Sequence, residues 1–195
     1  MPRQTREEID EEILDTAAAL FARHGVEQTS VQRIADAVGY SKTGLLHRFP
    51  SKEAIAEATV AHTAARFEAV AARVGGRPTG RDRDRAVLDE LVTLAQTRPG
   101  LVSFMLTSLS QGALGTERLD ALGEVLFRCF GVPLAPGDPP PTGEALLRAV
   151  RVTSAVGGLA VASLAFCDLP AADLRTGLVT TALSALGHPT PTEEN

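Results

Sequence analysis

Basic side chains without any carboxylate characterise one stretch of the sequence, from Ala37 to Lys52. Lysine and arginine together number 19 in the chain, and its two lysines, Lys42 and Lys52, both fall in this stretch. Such a surface attracts polyanions, because each cation that neutralises a phosphate releases condensed counterions. The stretch therefore predicts contact with a nucleic-acid backbone. Chance placement in an arginine-biased chain is the alternative.

Two short helices are expected to carry this stretch. Thr29 or Ser30 can cap a first helix whose apolar positions have helical spacing, and Gly39 then breaks it. Ser41 can cap a second helix, which Pro50 ends because the residue before a proline avoids helical dihedral angles. Two short helices joined by a glycine turn indicate a helix-turn-helix.

The same stretch resembles the DNA-binding segment of TetR-family transcriptional regulators. The matching residues follow in order without a gap and are Ser30, Ile34-Ala35, Gly39, Ser41-Lys42, Phe49 and Ser51-Lys52-Glu53. The usual Gly-Thr is inverted to Thr43-Gly44, the usual Tyr is Leu46 and the usual His is Arg48. The phosphate contact that the resemblance implies for the Tyr would then pass to His47 or Arg48.

Nine residues of this segment are predicted to serve DNA binding: Ser30, Tyr40, Ser41, Lys42, Thr43, Gly44, His47, Arg48 and Lys52. Lys42 and Thr43 begin the second helix and are expected to reach base edges, while Gly44 allows a close approach. The other six are expected to contact phosphates or to orient the unit.

The length of 195 residues allows a sizeable core, and an all-α fold in two parts is predicted. Residues 1–53 would form a three-helix DNA-binding domain with the helix-turn-helix at about 30–49. Residues 54–195 would form a larger helical domain for ligand sensing and dimerisation, joined by a helix that starts near Ser51. The net charge of −5 does not exclude DNA, since six acids cluster at the start of the first helix. Alternating charges from Arg81 to Arg85 predict a solvated helix start.

Other classes of protein lack support in the sequence. Cys129 and Cys167 lie in apolar runs without metal-ligand spacing and indicate core residues in a reducing compartment. The four histidines are scattered, and no catalytic motif is present. The longest uncharged apolar stretch, 152–167, has 16 residues, short of the roughly 20 that span a bilayer. We therefore expect a cytoplasmic protein that is not an enzyme, with no cofactor, metal or membrane.

Apolar side chains of the larger domain could line a ligand cavity, and the predicted set is His62, Phe67, Phe104, Met105, Leu109, Phe127, Phe130 and Phe166. Each could equally be a core residue, and His62 could be a hydrogen-bonded core histidine. Small residues from Ala155 to Ala160 predict a close partner helix, because a mid-helix glycine costs about 1 kcal/mol relative to alanine. In TetR-like proteins the last two helices pair across a two-fold axis, and the similar pattern here implies a homodimer. An intrachain contact is the alternative.

The predicted function is a sequence-specific DNA-binding transcriptional regulator. It would be a repressor, released from a palindromic operator by a small and largely apolar ligand. The partners are then double-stranded DNA, a second copy of the chain and a small-molecule effector. The alternative is a helical binding or adaptor module that has lost DNA binding.

Overall fold

The computed structural model of the chain describes residues 5–110, 117–133 and 139–189, with the side chains of residues 108–122 outside this description. Every regular element in those ranges is an α-helix, which confirms the predicted all-α class. The helices are α1 (Arg6–His24), α2 (Val31–Ala37), α3 (Lys42–Arg48), α4 (Lys52–Val74), α5 (Arg81–Thr97), α6 (Pro99–Ser110), α7 (Glu117–Cys129), α8 (Gly143–Ala165) and α9 (Ala171–Ala185).

The chain divides into two compact units. The first unit comprises Met1–Arg66 and Arg98–Gly115, and the second comprises Phe67–Thr97 and Thr116–Asn195. Helix α4 continues from one into the other. The first unit thus contains the predicted DNA-binding segment, most of α4 and also α6. The functional boundary at residue 53 stays a prediction.

The core of the first unit is formed by α1, α2, α3, the start of α4 and α6. Its buried side chains are Ile13, Ala17, Ala18, Phe21, Ile34, Ala35, Leu45, Ile55, Leu101 and Phe104. Helix α1 begins with a capping box, in which Thr5 Oγ1 accepts from the Glu8 N–H and Glu8 Oε2 accepts from the Thr5 N–H. The rings of Phe21 and Phe104 lie 6.4 Å apart, so α6 completes a core that α1 begins.

Helix α6 is fixed to α1 through its first turn. Asp15 Oδ1 of α1 accepts a hydrogen bond from the Leu101 N–H at 3.2 Å. Burial raises the pKa of Asp15, and the bond from Leu101 opposes that rise. Glu11 pairs with Arg66 of α4 and, at 2.6 Å, with Arg98. Three segments distant in sequence are therefore joined at α1 by ion pairs and one helix cap.

The second unit contains a buried carboxylate. Asp84 of α5 is 1% exposed and accepts from Arg148 Nη2 of α8 at 2.8 and 2.7 Å. His188, which follows α9, places Nε2 2.6 Å from Asp84 Oδ2. The predicted solvated start of α5 is therefore wrong for Asp84, because α8 and the residue after α9 cover it. The charge is buried with charged and polar partners, as such groups require.

Helix α8 is long and apolar. Its most apolar window has a mean hydropathy of 1.4 and is 33% buried, so by length and composition alone it could cross a membrane. The uncharged apolar stretch found in the sequence begins after Arg151, but helix α8 continues on both sides of that residue. One such helix is weak evidence for a span, since a core helix passes the same test.

Candidate nucleic-acid interface

Two serines begin the two short helices. Ser30 Oγ accepts from the Arg33 N–H at 3.1 Å and caps α2, while Ser41 Oγ accepts from the Gly44 N–H at 3.0 Å and caps α3. Of the two predicted caps for α2, Thr29 instead lies buried and donates its hydroxyl proton to the Gly25 carbonyl at 2.7 Å. Both serine side chains are therefore engaged in fixing helix starts.

The turn between α2 and α3 depends on Gly39. Its φ of 73° lies in the left-handed region, which a glycine adopts without strain. The next residue, Tyr40, donates its N–H to the Ala35 carbonyl at 2.8 Å and so closes the turn on α2. The local sequence signals thus produce the predicted helix-turn-helix.

Helix α3 has one buried side and one exposed side. Leu45 is fully buried, and Phe49 and Leu46 are half-buried, with Phe49 packed against the core of the first unit. Lys42, Thr43 and His47 are exposed. The exposed side therefore carries a cation, a hydroxyl and an imidazole, which can contact phosphates and base edges.

Gly44 lies inside the cap of α3. A Cβ atom at this position would lie 3.1 Å from Ser41 Oγ and 3.8 Å from a ring carbon of Tyr40. Tyr40 itself is half-buried. The predicted role of Gly44 in close approach to DNA stays a prediction, and the serine cap is a second reason for a small residue here.

Two of the predicted phosphate contacts are engaged within the chain. The Arg48 guanidinium pairs with the Asp10 carboxylate of α1, and Lys52 Nζ donates to the Glu27 carbonyl at 3.0 Å. Lys42 and His47 have no ion pair within the part of the chain that the structure describes. These two are the cationic or titratable side chains of α3 that remain free for DNA.

Arg33 of α2 is an exposed cation outside the nine residues predicted to serve DNA binding. It lies one turn after the Ser30 cap and makes no side-chain ion pair with any residue that the structure describes. Its position one turn after a predicted helix cap is the sequence feature that could have indicated an exposed cation here. Arg33 joins Lys42 as a free cation of the helix-turn-helix.

The comparisons with known proteins concern this segment first. Residues 13–59 match the family described as bacterial regulatory proteins, tetR family. That range includes α2 and α3, most of α1 and the start of α4. Residues 13–59 are therefore similar to the tetR family of bacterial regulatory proteins.

Named relatives share a limited part of the chain. The HTH-type transcriptional repressor KstR2 of Rhodococcus jostii is 48% identical over 46 residues, which are 24% of this chain and 22% of that protein. The HTH-type transcriptional repressor AcnR of Corynebacterium diphtheriae is 38% identical over 65 residues, 33% of this chain and 34% of that protein. The chain thus matches between about a fifth and a third of the length of these relatives.

The likeness in fold extends beyond residues 13–59. AibR, solved in complex with isovaleryl coenzyme A and operator DNA, is 23% identical, covers 89% of this chain and 97% of its own, and has a TM-score of 0.59. At this identity the likeness shows the fold alone. The arrangement of an amino-terminal helix-turn-helix followed by a helical region is therefore shared.

The residues predicted to bind a ligand are divided between the two units. His62, Phe104 and Met105 belong to the first unit, whereas Phe67, Phe127, Phe130 and Phe166 belong to the second. Four of these, Phe67, Phe104, Met105 and Phe130, are buried core residues, and Phe127 is half-buried. The side chain of Leu109 lies outside the described residues. The ligand set stays a prediction, and the structure does not bring its members together in one unit.

His62 has an unusual environment in the first unit. Its Nε2 atom is buried and has no hydrogen-bond partner among the residues that the structure describes, so the expected hydrogen-bonded core histidine is not found at this atom. Burial lowers the pKa of His62, Arg66 and Arg98 lower it further, and Glu11 opposes them. An open cavity of about 330 Å³, lined mainly by polar side chains of α1, lies beside it.

A separate apolar cleft lies between α8 and α9 in the second unit. Its volume is about 430 Å³, and its lining includes Gly158, Phe166 and Gly177. A Cβ atom added to either glycine would meet nothing within 4 Å. Phe166 is 52% exposed and is the member of the predicted ligand set that borders this cleft. Within the described ranges, no three His, Cys, Asp or Glu side chains form a metal site.

Proposed function

We propose that the chain is a sequence-specific DNA-binding transcriptional regulator that acts as a repressor. The observation that carries this proposal is the exposed side of α3. Lys42, Thr43 and His47 project from a helix that Ser41 caps and whose opposite side is buried. A helix with a buried side and a free polar side can enter the major groove, with its first residues near base edges.

We propose that two copies associate through α8 and α9. A single helix-turn-helix buries too little surface for tight specific binding. Two such DNA-binding units, called heads here, bind tightly when they are held at a fixed spacing. Leu147, Val150 and Val161 of α8 are 50%, 52% and 59% exposed, although all three are apolar. The open space beside Gly158 and Gly177 accommodates close packing of a second helix pair. The operator is then an approximate palindrome.

A small and largely apolar effector is proposed to release the operator. The fold shared with AibR supports a ligand-responsive regulator, because that protein was solved with both isovaleryl coenzyme A and operator DNA. The effector would favour a head spacing that does not match successive major-groove turns, with a coupling free energy of about 1 to 3 kcal/mol. Operator affinity that no cavity-binding ligand alters would contradict this part.

Selection of genomic fragments by the purified chain tests the function. The selected fragments are expected to share a palindromic site, bound with an affinity that falls steeply with salt. The double variant Lys42→Ala, Thr43→Ala should weaken binding at least tenfold and reduce the slope of log affinity against log salt by about 1 per head. Arg85→Ala is the control, since Arg85 is an exposed cation of the second unit. It should bind like the wild type.

The adaptor alternative predicts that no fragment is enriched. It also predicts that the Lys42 and Thr43 variant behaves like the wild type in every binding assay. Enrichment that both substitutions abolish excludes it. The named relatives are transcriptional repressors, and with them we propose a cytoplasmic location and no enzymatic activity for this chain.

A further inference from the structure

Arg48 occupies a different side of α3 from the residues that are free for DNA. At 3.6 residues per turn, Arg48 and Lys42 both project about 60° from the buried Leu45, on opposite flanks of α3. His47, in contrast, projects about 160° from Leu45. The Arg48 side chain is 21% exposed, and its partner Asp10 is 34% exposed. Arg48 therefore lies at the edge of the buried side and faces α1.

Two contacts hold Arg48 on α1. Its Nη1 atom pairs with Asp10 Oδ1 and also approaches the Arg6 carbonyl at 3.5 Å. The pair links residues 38 positions apart in sequence. The guanidinium also lies in the last turn of α3, where a cation is favoured by the helix dipole. Transfer of Arg48 to a phosphate would leave Asp10 partly buried without its partner, which is unfavourable.

We propose that Arg48 and Asp10 together are positioning residues for DNA binding, which fix the angle of α3 on α1. This inference rests on the proposed function and specifies its interface. Arg48 does not contact a phosphate, and the phosphates near α3 are neutralised by the exposed side chains. Of the two substitutes for the missing tyrosine contact, His47 is the exposed one.

The direction in which Asp10→Asn changes DNA affinity separates a positioning role from an effect of charge. Asp10→Asn removes a carboxylate from the DNA-binding head, so reduced repulsion alone would tighten binding to DNA. It would also release Arg48 for a phosphate, if that were its role. Positioning predicts the opposite: Asp10→Asn weakens binding to the selected operator roughly 3- to 30-fold. The slope of log affinity against log salt stays as in the wild type.

Glu7→Gln provides the matched control. Glu7 lies on the same helix, is exposed, and has no ion pair among the residues that the structure describes. The substitution removes the same charge without breaking the Arg48 contact. Operator affinity should be unchanged or slightly higher, so a loss seen with Asp10→Asn and not with Glu7→Gln is due to the pair.

The double variant Asp10→Arg, Arg48→Asp exchanges the two charges. Positioning predicts that it binds the operator more tightly than the single variant Arg48→Asp, because the pair is re-formed. An arginine bound to phosphate would not be rescued in this way. Melting curves and circular dichroism are recorded for each variant. If the double variant fails to fold, the comparison of Asp10→Asn with Glu7→Gln decides.

Failure of the positioning role can be distinguished from failure of the proposed function. If the wild type binds its operator and Asp10→Asn binds as tightly or more tightly, positioning is overturned. A fall of about 0.9 in the salt slope per head in Arg48→Ala would overturn it as well, since that is the effect of one lost phosphate contact. If the wild type selects no fragment, the proposed function fails first, and this inference with it.

Discussion

The exposed side of α3 and the exposed side of α8 both lack partners among the residues that the structure describes, but in opposite chemical senses. Lys42 and His47 of α3 are hydrated charged or polar groups, which water satisfies. Val150 and Val161 of α8 are more than half exposed, and their contact with water is unfavourable. Under the proposed function, the first surface would bind a polyanion and the second would bind another apolar surface. Salt should distinguish them, since it screens the first attraction and does not weaken the second.

The glycines of the two units show a similar contrast. A Cβ atom on Gly100 of α6 would overlap the Asp15 carbonyl group, with the carbonyl carbon 3.0 Å away. A Cβ atom on Gly158 of α8 would meet nothing within 4 Å. Gly100 is thus required by a contact inside the chain, whereas no residue that the structure describes places such a requirement on Gly158.

The largest expected effect is on dimer formation. Val150→Glu with Val161→Glu places four carboxylates in the proposed two-fold interface, where each loses hydration without a partner. The dissociation constant of the dimer, measured by sedimentation, should increase more than 100-fold, and operator affinity should fall with it. Ala72→Glu, at an exposed site of α4, is the control and should remain dimeric. A dimeric double variant would contradict the α8 and α9 interface.

An intermediate effect is expected on the folding of the first unit. Gly100→Ala should lower the free energy of unfolding by about 1 to 3 kcal/mol, because the added methyl group overlaps the Asp15 backbone. Denaturant titration measures it. Gly123→Ala, in α7 and outside the proposed interface, is the control and should leave the fold intact, since its methyl group enters open space. Equal stability of Gly100→Ala and the wild type would mean that α6 does not approach α1 this closely.

The smallest effect is expected from His62, whose Nε2 atom has no hydrogen-bond partner in the described ranges. Burial lowers the folded-state pKa of His62, so below its ordinary value near 6.5 the unfolded chain binds more protons than the folded one. Stability contributed by neutral His62 is therefore complete above about pH 6.5 and decreases as the pH falls towards the lowered pKa. Charges that face it are Arg66, Arg98 and Glu11. His62→Gln should reduce the change in Tm between pH 7.5 and 5.5 by about one or two degrees. If the change in Tm between the two pH values is the same in His62→Gln as in the wild type, this role of His62 is contradicted.

The helix-turn-helix could be predicted because its signals are local. Ser30 and Ser41 cap helices that begin at the next residue, and Gly39 has the φ that its turn requires. Each signal acts within four residues, so one sequence suffices to recognise it. The exposure of Thr43 and His47 follows from the burial of Leu45, because both project about 160° from it on the same helix.

The long-range contacts could not be predicted in the same way. Arg48 was assigned to phosphate contact or orientation, and its pairing with Asp10 joins two helices separated by 38 residues. Asp84 was placed on a solvated helix start, but Arg148 and His188 cover it from positions 64 and 104 residues away. Periodicity shows which side of a helix is apolar, but it does not show which distant charge completes an ion pair.

A salt titration of two equilibria tests the central claim most directly. Operator binding and dimer formation are measured for the same wild-type protein across one series of KCl concentrations. We expect the logarithm of operator affinity to fall steeply and linearly with the logarithm of salt, while the dimer constant stays level or strengthens slightly. Operator affinity that is indifferent to salt, or a dimer that dissociates as salt increases, would contradict the assignment of α3 to DNA and α8 to a second copy.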